Sequence, residues 1–190
     1  MTATAPALMT VDEFLELPDN GRERFLIRGV LYEKRMTFRN PFHSSVLMRI
    51  GQILLNWLEA QSQIQAGVVG GEAGFRLRSE PASTVGVDVA VVAKDAPYYT
   101  HGKRVLFDGP PLLAIEILSP SDRQEEIEDK IGEYLASGTK LVWIVSPGLR
   151  TVTAYQSHRP PQLFAGDAEL TAEAVLPGFR VPVSRVFETM

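Results

Sequence analysis

Apolar positions in this chain follow two rhythms. Val46, Leu47, Ile50, Ile53, Leu54, Trp57 and Leu58 recur at helical spacing, so Phe42 to Gln61 is predicted to be a long amphipathic helix. Elsewhere the apolar residues run together. Val85 to Ala93 (VGVDVAVVA) and Leu112 to Leu118 (LLAIEIL) read as strands buried on both faces. Each run is interrupted by one carboxylate, Asp88 in the first and Glu116 in the second. An ionised carboxylate inside such a strand is costly unless something pairs with it. Either Glu116 sits at the wet end of its strand, or a cation meets it.

The segment after Glu116 carries its own helix signals. Ser121 with Gln124 fits a capping box, and Ile127, Ile131, Tyr134 and Leu135 form an apolar stripe ended by Gly138. On a wheel of about 100° per residue, Lys130 falls about 40° from Tyr134, on the shoulder of the stripe. It therefore leans toward the sheet, while Asp122, Glu125, Glu126, Glu128, Asp129 and Glu133 mostly face water. Lys140 to Ser146 is a further buried strand. A strand–helix–strand unit of this kind crosses over right-handed and makes its two strands parallel.

The remaining pattern fills in the order. Thr10 to Leu17 reads as a short capped helix, and Arg24 to Arg35 as a hairpin broken at Arg28-Gly29. Gln65 to Ser79 is a strand with a bulge at Gly70-Gly71. Lys94 to Pro110 is expected to be a loop or a short helix. Thr151 to Gln156 is expected to pair back on Lys140 to Ser146, and the tail to form a turn and a short closing helix. The fold class is α/β: a mixed central sheet flanked by helices, with an N-terminal hairpin.

Composition narrows the chemistry. With 190 residues and no evident linker, residues 1–190 suit one domain. No apolar run approaches the roughly 18 residues needed to cross a bilayer. The opening MTATAPALMT lacks the parts of a secretory signal, so a cytoplasmic, non-membrane location is expected. The absence of cysteine excludes disulfides, a thiolate zinc site and a cysteine nucleophile. His43, His101 and His158 are scattered, so any metal would be held mainly by oxygen, which favours Mg²⁺ or Mn²⁺.

A net charge of −4 argues against strong sequence-independent binding to nucleic acid. Charge is uneven, though. Arg22, Arg24, Arg28, Lys34, Arg35, Arg39 and Arg49 crowd Asn20 to Ile50, against Glu23 and Glu33. This stretch is either a basic binding face or a solvated, salt-bridged one. Tyr98-Tyr99 either stack on bases or are ordinary exposed tyrosines. Ser119 reads as a strand-end or capping group. No phosphate-binding glycine loop, nucleophile elbow or zinc-protease motif is present.

If the two acid-bearing strands are neighbours, Asp88 and Glu116 can face each other on one side. Like charges that close require a cation, which a divalent metal supplies. Such an ion would also polarise a phosphoryl oxygen and acidify water, with Lys130 orienting that water or stabilising charge on the phosphate. Each residue also has a plainer reading: Asp88 at a solvated rim, Lys130 snorkelling past its stripe, His43 as an ordinary helix residue.

An acid on one strand and Glu-X-Lys on the next, within helix, three strands, helix and strand, is the pattern of the restriction-endonuclease-like (PD-(D/E)XK) superfamily. This chain departs from it at Val87, where proline is expected, and at Leu118, where the lysine is expected. In the second respect it resembles the Uma-two family of bacterial proteins assigned as endonucleases, in which the lysine has moved to the following helix. The matching stretches are FLIRGVLYE, NPFHSSVLMRIGQIL, VDVAVV, AIEILSPSDR, KIGEYLASG, LVWIVSP and LPGF, in that order.

The resemblance implies a Mg²⁺- or Mn²⁺-dependent endonuclease that hydrolyses DNA phosphodiester bonds. Asp88 and Glu116 would be metal ligands, the Ile117 carbonyl a third, Lys130 the catalytic lysine, and His43 a histidine the family often has. Phe25 stands where the family commonly has an acid, leaving Glu23 or Glu33 to stand near. The alternative is a catalytically degenerate module of the same fold that binds nucleic acid or a protein partner. Phe25, Leu118 and the acidic balance speak for it. A homodimer is left open.

Overall fold

A computed structural model describes residues 8–35, 40–61 and 63–188 of the chain. The opening MTATAPA, Arg39 and the Arg35 side chain lie outside what is described. The elements in order are α1 (Val11–Glu16), β1 (Arg22–Ile27), β2 (Val30–Arg35), α2 (Pro41–Glu59), β3 (Ala66–Arg78) and β4 (Ser83–Ala93). There follow β5 (Tyr98–His101), β6 (Arg104–Asp108), β7 (Leu113–Ile117), α3 (Gln124–Ser137), β8 (Leu141–Ser146) and β9 (Thr151–Tyr155). The chain closes with β10 (Gln162–Ala165), β11 (Glu169–Thr171), β12 (Arg180–Pro182) and α4 (Val183–Val186). Among the described residues no helix is long and apolar enough to cross a membrane.

A mixed sheet runs in the order β10-β9-β8-β7-β4-β3-β6-β5. The parallel pairing of β7 with β8, from Leu113 opposite Leu141 to Ile117 opposite Val145, is the expected crossover with α3 between them. On one face α2 lays Val46, Ile50 and Leu54 against Val89, Val91, Leu113, Ile115 and Trp143, and the C-terminal Leu176, Phe179 and Val183 complete that layer. On the other face α3 lays Ile131 and Tyr134 against Ala90, Ala114, Val142 and Ile144. Helices on both faces explain why β4 and β7 carry apolar residues on both faces and are interrupted only by Asp88 and Glu116 from Val85 onward.

The N-terminal hairpin is present, its strands paired from Arg22 opposite Arg35 to Ile27 opposite Val30. It joins the large sheet through one residue pair, Leu26 with Thr84. Donation from Arg28 N–H to Ser83 Oγ (2.9 Å) and from Gly29 N–H to the Ala82 carbonyl (2.7 Å) supports the same corner. The bulge expected at Gly70-Gly71 appears as a register shift between Gly70 and Ala73.

Four expectations are corrected. Lys94 to Pro110 is not a loop or helix but the hairpin β5–β6, with β6 parallel to β3. Its residues are half-exposed, so no apolar run announced it. It is held by tertiary contacts, with Phe107 stacked on Phe75 at 4.9 Å and Arg76 bidentate to Asp108 at 2.8 and 2.7 Å.

Secondly, α3 starts at Gln124 after Arg123, without a side-chain cap. Ser121 does not cap because its hydroxyl pairs with that of Ser119 at 3.0 Å, while Asp122 accepts the Ser119 N–H at 2.7 Å. Thirdly, Glu133 does not face water. It is fully buried, with Arg28 Nε at 3.1 Å and Arg78 Nε at 3.3 Å. Fourthly, the tail adds an edge strand, β10 on β9, and a small β11–β12 pair before α4.

Gly138 closes α3 at φ 107, a left-handed conformation that costs an L-residue roughly 1–2 kcal/mol. A Cβ there would meet only Pro110 Cγ, at an ordinary 3.7 Å. Gly138→Ala should therefore lower the unfolding free energy by about 1 kcal/mol through the backbone alone. Urea denaturation measures this, and an unchanged midpoint would refute it.

Candidate active site

The floor of the site is where β4 and β7 part. Their antiparallel ladder runs from Val91 opposite Leu113 to Val89 opposite Ile115, and its next step sets Asp88 across from Glu116. The backbone ladder stops before that step. Ile117 N–H instead donates to Asp88 Oδ2 at 2.8 Å, so a side chain satisfies the buried donor that the diverging strand no longer reaches. In an antiparallel ladder the N–H and C=O of one residue face the same neighbour, so the Ile117 carbonyl is directed to that strand too. The packing of β4 changes here. Val85 and Val87 belong to the layer of Phe25 and Phe75, whereas Val89 and Val91 belong to that of α2. The bulge in β3 lies directly opposite, and a bulge re-aims neighbouring side chains.

Glu116 is met by a cation, as one of the two sequence alternatives required. Lys130 Nζ donates to its Oε2 at 3.0 Å, and the Tyr134 hydroxyl to its Oε1 at 2.5 Å. Lys130 also lies over the Phe25 ring, 5.1 Å from its centre. On its other side Asp88 is approached by His43, whose Nε2 is 3.2 Å from Oδ1 without an aligned hydrogen bond. His43 is buried at the first turn of α2, which Asn40 caps by accepting the Phe42 N–H at 2.9 Å. Thus Asp88, Glu116, Ile117, Lys130 and His43, named from sequence, are brought together.

Asp88, Glu116, Ile117 and Lys130 open into a shared cleft, which His43 does not line. The hairpin supplies Glu23, Phe25 and Lys34 to its wall, α3 and the turn before it supply Asp122, Glu126, Ile127 and Lys130, and Leu118 faces it where a lysine was expected. Lys34 bridges the walls, 2.9 Å from Glu23 and 3.1 Å from Asp122, and Tyr32 donates to Asp129 at 2.8 Å. Glu33 is elsewhere, 2.6 Å from Arg24. The basic stretch is accordingly a salt-bridged face where it is described. Tyr99 is occupied as well: its hydroxyl donates to Asp12, and Arg76 lies 3.8 Å over its ring.

Two residues of the site were missed by sequence reasoning. Tyr134 was read as core, and its position in the apolar stripe is core; nothing in the pattern reports where its hydroxyl points. Glu72 lies in the β3 bulge at φ +62 and lines the cleft. A Cβ on Gly86 would stand 2.7 Å from Glu72 Oε2, so glycine there leaves the carboxylate its place. The pair Gly70-Gly71 signalled the bulge but not the residue it re-aims.

The electrostatics are lopsided, because acids outnumber lysines around the cleft. Burial pushes Asp88 up, but His43 and the Ile117 N–H outweigh it and hold the carboxyl below its ordinary 3.8. Glu116 goes the other way. Burial raises it above 4.5; Lys130 pulls it back and the Asp88 charge adds to the rise. Burial acts to lower Lys130, and Glu116 and then Glu72 overcome that and keep it protonated. One ammonium therefore serves several carboxylates.

The donors fit a hard divalent cation. They are carboxylate oxygens and a main-chain carbonyl, and Asp88 Oδ1 is buried without an aligned hydrogen bond. Among the described residues no three His, Cys, Asp or Glu side chains are grouped to hold a metal, so water would complete the shell. Mg²⁺ and Mn²⁺ suit that arrangement, since Mg²⁺ binds through one or two carboxylates and keeps several waters.

Comparison with known proteins agrees with this architecture. Residues 11–184 match the family model for Uma2, described as "putative restriction endonuclease". No curated protein matches the chain. A crystal structure of a "putative nuclease belonging to DUF820" from Anabaena variabilis ATCC 29413 superposes with a TM-score of 0.76 at 21% identity, over 94% of this chain and 97% of that one. At that identity the likeness establishes the fold.

The depressed Asp88 value carries a sign. Its contribution to stability is present above pH 3.8 and is lost as the pH falls through its lower folded value. In EDTA, Asp88→Asn should cost about 1–2 kcal/mol at pH 7, and the difference from wild type should shrink below the ordinary carboxyl range. Melting temperatures across pH test this; a difference independent of pH would contradict it.

Proposed function

The chain belongs to the Uma2 family, and from that premise we propose that it is a Mg²⁺- or Mn²⁺-dependent endonuclease hydrolysing phosphodiester bonds of DNA. The single observation that carries the proposal is the convergence of Asp88, Glu116 and Lys130 on one acidic cleft. Asp88, Glu116 and the Ile117 carbonyl would hold the ion. When bound, it would neutralise the excess carboxylate charge, polarise a phosphoryl oxygen and acidify a water.

The chain's own groups do the rest. Lys130 keeps its proton, and its ammonium can leave Glu116 for a phosphate oxygen as negative charge develops there. His43 braces Asp88 from behind, and the Ile117 N–H fixes the other oxygen of the same carboxylate. The apolar flank formed by Phe25, Ile127 and Leu118 limits water around the reacting phosphate. An unmetallated cleft of this charge repels a polyanion, so activity should vanish in EDTA.

Phe25 supports a second reading. It fills, in the wall over Lys130, a place where the family commonly has an acid, as a non-catalytic binding module would tolerate. Cleavage of supercoiled plasmid with Mn²⁺ separates the two. Asp88→Ala, Glu116→Ala and Lys130→Ala should each lower the rate by roughly 10²–10³-fold. Equal background cutting by all four proteins would overturn the enzyme reading in favour of the module.

A further inference from the structure

We propose that Tyr134 is a positioning residue whose hydroxyl holds the Glu116 carboxylate in the orientation that presents it to a divalent cation. This rests on the metal-dependent reading above and extends it to a residue outside the ligand set. Lys130 and Tyr134 stand one helical turn apart on α3 and meet the two oxygens of the same carboxylate, Nζ at 3.0 Å from Oε2 and the hydroxyl at 2.5 Å from Oε1. Glu116 is thereby held at both ends, and its plane is set by the helix.

The two donors are not equivalent. The ammonium repels a neighbouring divalent cation and has a second task at the phosphate, so it gives up Oε2 when it acts. The phenol is neutral and remains. A phenol keeps its proton at neutral pH and so serves as a donor to Glu116 Oε1. A short O–H···O⁻ bond is among the stronger hydrogen bonds, and it constrains direction without adding charge.

Packing alone does not call for the hydroxyl. Tyr134 is fully buried among Ile131, Ala114, Val142 and Ile144, where phenylalanine would cover the same apolar neighbours. A buried hydroxyl is costly in such surroundings unless it is bonded, and the bond it makes is to Glu116.

The test is calorimetric titration of the intact protein with MnCl₂, without nucleic acid. Wild type is compared with Tyr134→Phe, Glu116→Gln and Ile131→Val, the last thinning the same helix face without touching Glu116. Groups that orient metal ligands typically contribute about 10–100-fold in affinity. Tyr134→Phe should weaken Mn²⁺ binding by that factor, and Ile131→Val should leave it unchanged. Wild-type affinity in Tyr134→Phe, or equal weakening in Ile131→Val, would overturn the positioning role alone. Absence of binding by wild type, or binding indifferent to Glu116→Gln, would overturn the metal reading and this role together. Ultraviolet difference spectra of wild type need no variant: Mn²⁺ should perturb the buried tyrosine band, and an unperturbed band counts against the proposal.

Discussion

A negative charge placed inside apolar β-structure has to be answered, and the answer given to Glu116 organises this molecule. Its partners come from α3, across a loop and a turn, and their reach fixes where that helix lies on the sheet. Ile131 packs with Tyr134 against the same face of the sheet, and Gly138 reverses the chain so that β8 returns parallel to β7. A buried ion pair contributes little net stability over an apolar equivalent, because desolvation offsets attraction. Its presence at the cleft end of an otherwise apolar strand is better explained by what the site does than by what the fold needs.

The second constraint is geometric. The two neighbouring strands β4 and β7 part at the cleft, and separation strands backbone donors. Asp88 resolves this by accepting the Ile117 N–H, so one carboxylate both ends the ladder and faces the opening. Around it the charge is deliberately unbalanced. Glu72, set by a left-handed bulge residue, adds to the field that Lys130 feels, while the Lys34 bridge spans the hairpin and the turn before α3. The walls are closed by ordinary ion pairs, and at the floor two carboxylates, Asp88 and Glu116, stand near a single lysine, Lys130.

How much was legible follows from how each feature is encoded. The helix α2 is written as a periodic pattern and the strands β4, β7 and β8 as dense apolar runs, and these elements and the crossover stand where the pattern put them. Lys130 was legible from its angle on the helical wheel, because a helix converts sequence spacing into direction. The hairpin β5–β6 was not, since half-exposed residues carry no period and its pairing is decided by Phe75 and Arg76, about thirty residues away. Glu133 looked like one more solvated acid on a charged helix, and only the distant Arg28 and Arg78 explain its burial. The Tyr134 hydroxyl and Glu72 share that limit, because a bond direction or a left-handed residue is settled by tertiary partners.

The hairpin bears on how such a protein diversifies. It is fastened to the large sheet near its turn, by the Leu26–Thr84 rung and the bonds to Ser83 and Ala82, yet it forms a whole side of the cleft. Its far end can change in length or residue type without disturbing the strands that carry Asp88 and Glu116. Evolution can therefore redraw what the mouth of the cleft admits while the floor is inherited intact, much as a lock is rekeyed without replacing the bolt.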